Sequence, residues 1–388
     1  MRLAHARSLA RRASQRAFTL LEMLVVIVVI LILIIIAIPA FNSIIRTQEE
    51  STADAVIGAG VGLARDLARA GTGQGDVAAV FAFEPGGKTS VVVCQRVGKL
   101  LVDQSPSGNG SGDIEREVFV PVEGYETLQL PAGWSVRGFA LMGMVDRDWY
   151  EPAASGSERY PVDRGTWVFP ETGFFDNTRQ EDAGNRQTFM IRFEAGTGRA
   201  LPAGGKGVLV VLQRVSSAER DAVEWKRIDR AADLRRWAIR VLNAPQAGSD
   251  PLNDADKREL IGDISGDTVL AKNVNSIAVY NERRLADALG VRVNPITESL
   301  YDASADEQNS GGRYQLRLID PLPSDITARR SINRWIEGWR AGSSDTDTTI
   351  NARADTQEAR VYFIPPAAGP LQPIVLPSTN SVGVGGNR

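Results

Sequence analysis

The side chains that most often carry enzyme chemistry are scarce in this sequence. Of its 388 residues one is histidine, His5, and one is cysteine, Cys94. A Ser-His-Asp or Cys-His mechanism would depend on a single imidazole, and that imidazole lies in the arginine-bearing opening stretch MRLAHARSLARRASQRA. One cysteine excludes an internal disulfide, a CxxC pair and a Cys/His zinc site. Cys94 stands in the β-branched run VVVCQ and reads as a small buried apolar residue, not a nucleophile. A metal site would have to use carboxylates and carbonyls, which suits calcium. The weak candidates are Asp263 and Asp267 in DISGD, close to Asp254 and Asp256, but the stretch lacks the alternating ligands of an EF-hand loop. Helix caps and turns account for these aspartates, and a solvated loop for Asp345 and Asp347. No cofactor and no catalytic residue is therefore expected, and the chain does not read as an enzyme.

Arginines and tryptophans form the other candidate pattern. Arg235, Arg236 and Arg240 share one predicted helix, and Arg329, Arg330, Arg334 and Arg340 share another with Trp335 and Trp339. Aromatics between arginines can stack single-stranded nucleic acid. Ile332, Trp335 and Trp339 also fall at helical spacing, which places them in a core. The formal net charge of -3 opposes non-specific nucleic-acid binding.

The elements that would position any site begin with a sharp change of composition. Residues 1–17 carry five arginines and no acid, and the run FTLLEMLVVIVVILILIIIAIPAF from Phe18 to Phe41 has one charge, Glu22. As a helix those 24 residues span roughly 36 Å, enough for a hydrocarbon core of about 30 Å. Arginines before the span, and none after it until Arg46, place the N-terminus in the cytoplasm and the remainder across the membrane. The run is long for a secretory signal and lacks an A-x-A cleavage site at its end. An acid within a span is costly unless it is paired, so Glu22 is a functional residue by default.

The stretch Arg16-Ala17-Phe18-Thr19-Leu20-Leu21-Glu22 resembles the cleavage and methylation motif of type IV prepilins and type II secretion pseudopilins. The resemblance implies cutting by a prepilin peptidase between Ala17 and Phe18 and N-methylation of Phe18. Glu22 then stands fifth in the mature chain and registers neighbouring subunits, and Pro39 stands twenty-second, where it can kink the helix. One residue departs from the pattern: Ala17 replaces the family's glycine. The physics agrees with the implied roles. A free amine at Phe18 and the carboxylate of Glu22 are each costly alone in the membrane and compensate one another between subunits. Proline at 39 removes a helix donor.

Helical patterning continues over residues 42–70 as an amphipathic extension, with Gly71 as the stop. The glycines Gly58, Gly60 and Gly62 lie inside this helix and read as close-packing positions, not as a nucleotide loop. Strands are expected at Val77–Phe83, Thr89–Val97 and Ile114–Val122, with short strands and loops over 130–185. A hairpin is expected to join Thr188–Phe193 to Val208–Arg214. The segment FMIRFEAGTGRA resembles the strand and glycine turn of the GspH/FimT minor pseudopilins. A second region follows, with helices at 217–242, near 254–261, at Glu282–Leu289 and near 325–340, and strands at Ser276–Tyr280, Tyr314–Ile319 and Ala359–Ile364. It reads either as a separate domain or as an elaboration of the same sheet.

The fold class expected is α+β and pilin-like: a long N-terminal transmembrane and amphipathic helix, then antiparallel β-sheet, then a C-terminal α/β elaboration. The organisation is a basic leader (1–17), a span (18–41), its amphipathic continuation (42–70), a β-rich pilin-like region (76–215), an additional α+β region (216–364) and a Pro/Gly/Ser-rich flexible tail (365–388). The expected protein is a minor pseudopilin or prepilin, single-pass in the inner membrane with its C-terminal region periplasmic. It would assemble into a type II secretion pseudopilus or type IV pilus-like filament. Partners implied are the prepilin peptidase, other pilin or pseudopilin subunits, the inner-membrane assembly platform and secreted cargo. The alternatives are a non-assembling envelope-anchored binding protein and a DNA-uptake minor pilin.

Overall fold

The computed structural model describes residues 20–71, 75–84, 88–102, 114–141, 166–168, 170, 187–211, 231–245, 252–262, 268–289, 301–302, 315–316, 332, 335–336, 359–366 and 371–374. The leader, Ala17, Phe18, Asp263, Asp267, Asp345, Asp347, the second arginine group and Trp339 lie outside them. The chain divides into two compact units, Met1–Ser51 and Thr52–Arg388. The first helix, α1, runs from Leu20 to Ala70. It ends where the sequence places a stop, at Gly71 with φ +60°, a conformation that glycine adopts without penalty.

In the second unit α1 is followed by β1 (Val77–Glu84), β2 (Lys88–Val102), β3 (Ile114–Pro121), β4 (Leu128–Gln129), β5 (Trp134–Ala140), β6 (Thr166–Val168), β7 (Gln187–Phe193) and β8 (Gly204–Val211). Then come α2 (Ala231–Leu242), α3 (Asp254–Lys257) with a π-helical turn at Arg258–Gly262, β9 (Thr268–Asn273), β10 (Ser276–Asn281) and α4 (Glu282–Leu289). The last described elements are β11 (Tyr301–Asp302), β12 (Gln315–Leu316), β13 (Arg360–Phe363) and β14 (Gln372–Ile374).

The larger sheet has the order β1-β7-β9-β8-β3-β2-β4, and β1 also pairs with β2. That extra pairing closes six strands into a barrel. The fifteen-residue β2 makes closure possible: its first half pairs with β1 and its second with β3, and Cys94 is opposite Ala78 on one edge and Pro121 on the other. Alternate residues of all six strands fill the interior: Ala78, Val80, Cys94, Phe119, Met190, Val208, Val210 and Ala271. Cys94 is fully buried there, and burial pushes its thiol pKa up, in keeping with a packing role. Two pairings, β3 with β8 and β7 with β9, are parallel, and the remaining strand pairs are antiparallel.

The outer faces of the barrel are covered by different layers. On one, Val118, Val120, Leu209, Val211 and Leu270 pack with Leu234, Trp237, Ala238 and Val241 of α2, the helical face that the sequence spacing predicts. On the other lie α1 and the second sheet, of order β14-β13-β10-β5-β6. Here Ala53, Ile57, Val61, Ala64, Leu67 and Ala68 of α1 meet Phe81, Phe189, Ile191 and Phe193 of the barrel and Trp134, Val136, Ile277 and Val279 of the second sheet. Glycine lets these layers approach. A Cβ on Gly60 would lie 2.6 Å from Val91, and one on Gly138 would lie 2.5 Å from the Phe189 ring. Ile332 and Trp335 are buried, as their spacing suggests, and Trp335 meets Tyr280 edge-on at 5.8 Å.

Two sequence expectations are corrected, for the β7–β8 hairpin and for the C-terminal tail. The hairpin of β7 and β8 starts to form, with Phe193 bridged to Ala200 and the Leu201 amide donating to Arg192 O at 2.8 Å, but it then splits and β9 inserts between the two strands. Asn273, at the end of β9, fills the fork: its Nδ2 donates to Leu201 O (2.8 Å) and Pro202 O (2.7 Å), and its Oδ1 accepts from Arg192 N (2.8 Å). The described residues of 216–364 supply β9 to the barrel and β10 and β13 to the second sheet, and β11 pairs with β12 in a small sheet apart from both. The flexible tail expected over 365–388 contributes β14, an edge strand, where Pro373 can sit without breaking a ladder on both sides.

Candidate assembly helix

The N-terminal part of α1 is the most distinctive surface in the described chain. Leu20–Ile38 is the helix long and apolar enough to cross a membrane among the described residues, and none of it is buried within the chain. Its large apolar side chains are between 45% and 85% exposed. A continuous apolar cylinder of that kind is unstable in water and stable in lipid or against other apolar helices. Glu22 lies in the first turn of α1 and is its one ionisable residue before Arg46. At that position the carboxylate faces the positive end of the helix dipole. α1 continues through Pro39 as helix. Ala17 and Phe18, the expected processing pair, lie outside the described residues.

The Thr52–Ala70 part of α1 is fixed on the second unit at both ends. At its C-terminal end the turn after β7 supplies a cap: the Gly196 amide donates to Ala68 O at 2.7 Å, and Gly196 and Gly198 both have positive φ. Gly198 packs against Arg69, where a Cβ would fall 2.4 Å from the arginine side chain. The glycine turn EAGTG therefore seats the end of the long helix. Arg65 is buried beside it, with its guanidinium 5.1 Å from the Phe193 ring centroid, and burial together with nearby Arg69 lowers its pKa. At the N-terminal end Asp54 accepts from Tyr362 Oη at 2.7 Å and pairs with Arg360.

One charged cluster was not legible from residue spacing. Arg192, on β7, crosses the barrel interior to Glu117 on β3, three strands away in either direction, and also pairs with Asp76 just before β1. Arg96 donates to the other oxygen of Glu117 at 2.6 Å, and Arg192 lies over Phe119 at 5.3 Å. Burial would raise the Glu117 carboxyl, but the hydrogen bonds from Arg192 and Arg96 outweigh it and hold it below the usual range. Burial would likewise lower Arg192, and its bonds to Glu117 and Asp76 leave it raised. A cavity of about 260 Å³ opens beside this cluster, lined among others by Lys99, Arg116, Met190 and Gly205. The two arginines and two carboxylates satisfy one another, so the cluster ties opposite walls of the barrel together.

The metal candidates Asp263 and Asp267 lie outside the described residues, and Asp254 and Asp256 belong to α3. Asp256 completes a capping box on α3 with the N-cap Asn253, its amide donating to Asn253 Oδ1 at 2.9 Å and its carboxylate accepting from Asn253 N at 3.1 Å. Among the described residues no group of three metal-ligating side chains comes together.

The fold and its exposed helix define a class, an α+β protein with, among the described residues, one N-terminal helix long and apolar enough to serve as a membrane anchor. The family model described as the prokaryotic N-terminal methylation motif matches residues 12–38. That segment carries the prepilin-type N-terminal methylation motif found in type IV prepilins and pseudopilins. No curated protein and no solved structure matches the chain.

Proposed function

We infer that this protein is a minor pilin or pseudopilin subunit of an envelope filament, either a type II secretion pseudopilus or a type IV pilus-like fibre. The carrying observation is the coincidence of the methylation motif over residues 12–38 with an apolar helix, Leu20–Ile38, that nothing in the chain buries. In this reading a prepilin peptidase cuts between Ala17 and Phe18, and Phe18 is methylated. The helix holds the subunit in the inner membrane with its body in the periplasm, where other subunits, the assembly platform and secreted cargo are its partners. Glu22 pairs with the new amine of a neighbour and sets the stacking register, because each charge is costly alone in lipid and compensated when paired. Pro39 loosens the helix late in the span. The size of the exported body favours a tip or priming position over a repeating shaft. The GspH/FimT subclass is supported by FMIRFEAGTGRA, whose glycine turn caps α1 at Ala68. Replacing Glu22 with alanine tests the mechanism: co-assembly with partner subunits is lost while membrane insertion is retained, and unchanged co-assembly would refute it.

A second reading, an envelope-anchored binding protein that does not assemble, is favoured by one observation, alanine instead of glycine at position 17. It predicts an uncut chain.

A further inference from the structure

The apolar stripe by which α1 lies on the second unit is nearly periodic. Ala53, Ile57, Val61, Ala64 and Ala68 succeed one another at intervals of three or four, and most are small. Such a stripe buries apolar area well but discriminates weakly between seatings that differ by a helical turn, because each turn presents much the same surface. The close approach of Gly60 to Val91 contributes to register, and two directional contacts, one at each end of the seated segment, add to it. One is the cap on Ala68, made by a turn between β7 and β8. The other is made by residues more than three hundred positions further along the chain.

Asp54 lies in the first turn of α1 that touches the sheets; Ser51 and Thr52 before it are exposed and Ala53 is fully buried. Both of its oxygens are engaged by one strand. Tyr362 donates its hydroxyl to Oδ1 at 2.7 Å, and Arg360 donates from its guanidinium to Oδ2. Positions 360 and 362 project from the same face of β13, so the strand offers two donors at the spacing of one carboxylate. Arg360 is itself held from behind, 5.5 Å from the centroid of the Trp134 ring on β5. β13 reaches this place only by pairing with β10, in the register Val279 to Arg360 and Ser276 to Phe363.

We propose that Asp54, Arg360 and Tyr362 form a registration clasp that fixes Thr52–Ala70 on the sheets only once β13, close to the C-terminus, has docked. The barrel strands end at Asn273, so they can assemble while this end of the helix is still unfixed. The seating of α1 thus depends on completion of the second sheet. The clasp stands independently of the filament reading. Within that reading it couples a fully folded exported body to a correctly seated assembly helix.

The test is hydrogen–deuterium exchange by mass spectrometry on the full chain in detergent, comparing the parent with Asp54→Ala, Arg360→Ala, Tyr362→Phe and the double swap Asp54→Arg/Arg360→Asp. The clasp predicts at least tenfold faster exchange over residues 52–60 in the two alanine variants. Tyr362→Phe, which removes only a hydroxyl, gives a smaller rise in the same peptide. Barrel peptides covering 187–193 and 268–273 keep the parent's rate, and the swap restores protection in part. Exchange at 52–60 equal to the parent's in Tyr362→Phe and the alanine variants overturns the proposal. So does an equal rise in the barrel peptides, or a swap no better protected than Asp54→Ala. Failure here with loss of co-assembly in Glu22→Ala would remove the clasp and leave the filament reading standing.

Discussion

Single residues carry the sharpest consequences. Glu117 accepts from Arg192 and Arg96 inside the barrel, and its carboxyl sits below its ordinary value. A depressed carboxylate contributes stability that is complete above its unfolded pKa, about 4.3, and is lost as pH falls through the lower folded value. The melting temperature is therefore expected to fall on acidification below about pH 4. Glu117→Gln should flatten that part of the profile and cost about 3 kcal/mol at neutral pH, as expected when one partner of a part-buried ion pair is removed. Thermal melts across pH check both. The three helix glycines separate in the same kind of experiment. Nothing lies within 4 Å of a Cβ on Gly58 or Gly62, so alanine there should stabilise the chain by about 0.5–1 kcal/mol each. Gly60→Ala meets Val91 and should destabilise by about 1–3 kcal/mol.

At the scale of elements, legibility followed the range of the interactions. α1, its stop at Gly71, the first three strands, α4 and β10 were readable because their signals are local: an apolar run, a terminal glycine, alternation between turns. The buried face of α2 was readable from spacing alone. β9 was not, although it is the strand on which the barrel depends. Its six residues, TVLAKN, are buried throughout and so show no alternation, and they end in the polar pair Lys272-Asn273 that ordinarily marks a loop. The β7–β8 hairpin was over-read for the same reason, since the glycine turn between them is real and only a distant strand opens the fork. Arg192 was visible as a charge in an apolar strand, but its partners at 76 and 117 carry no spacing signal. Asn273 makes the fork testable: Asn273→Ala leaves Leu201 O, Pro202 O and the Arg192 amide without that side chain. It should cost about 1–3 kcal/mol in denaturant unfolding. A loss within error would mean that the fork is held by β9 pairing alone.

The whole molecule combines two solvents in one chain. Residues 20–38 form a helix fit for lipid, and the body from Thr52 onward buries its own core around a closed barrel, a second sheet and the end of the same helix. The sequence supports the first from composition and motif; the second depends on strand pairings between residues far apart, which composition cannot specify. The central claim, that this is a processed prepilin-type subunit, concerns the N-terminus and is tested most directly there. Intact mass measured on the protein purified from membranes of cells that contain a prepilin peptidase is predicted to give a chain that begins at Phe18 and carries one methyl group. A chain that begins at Met1, unmethylated, with the peptidase present and active on its other substrates, would contradict the account and leave an uncleaved membrane anchor.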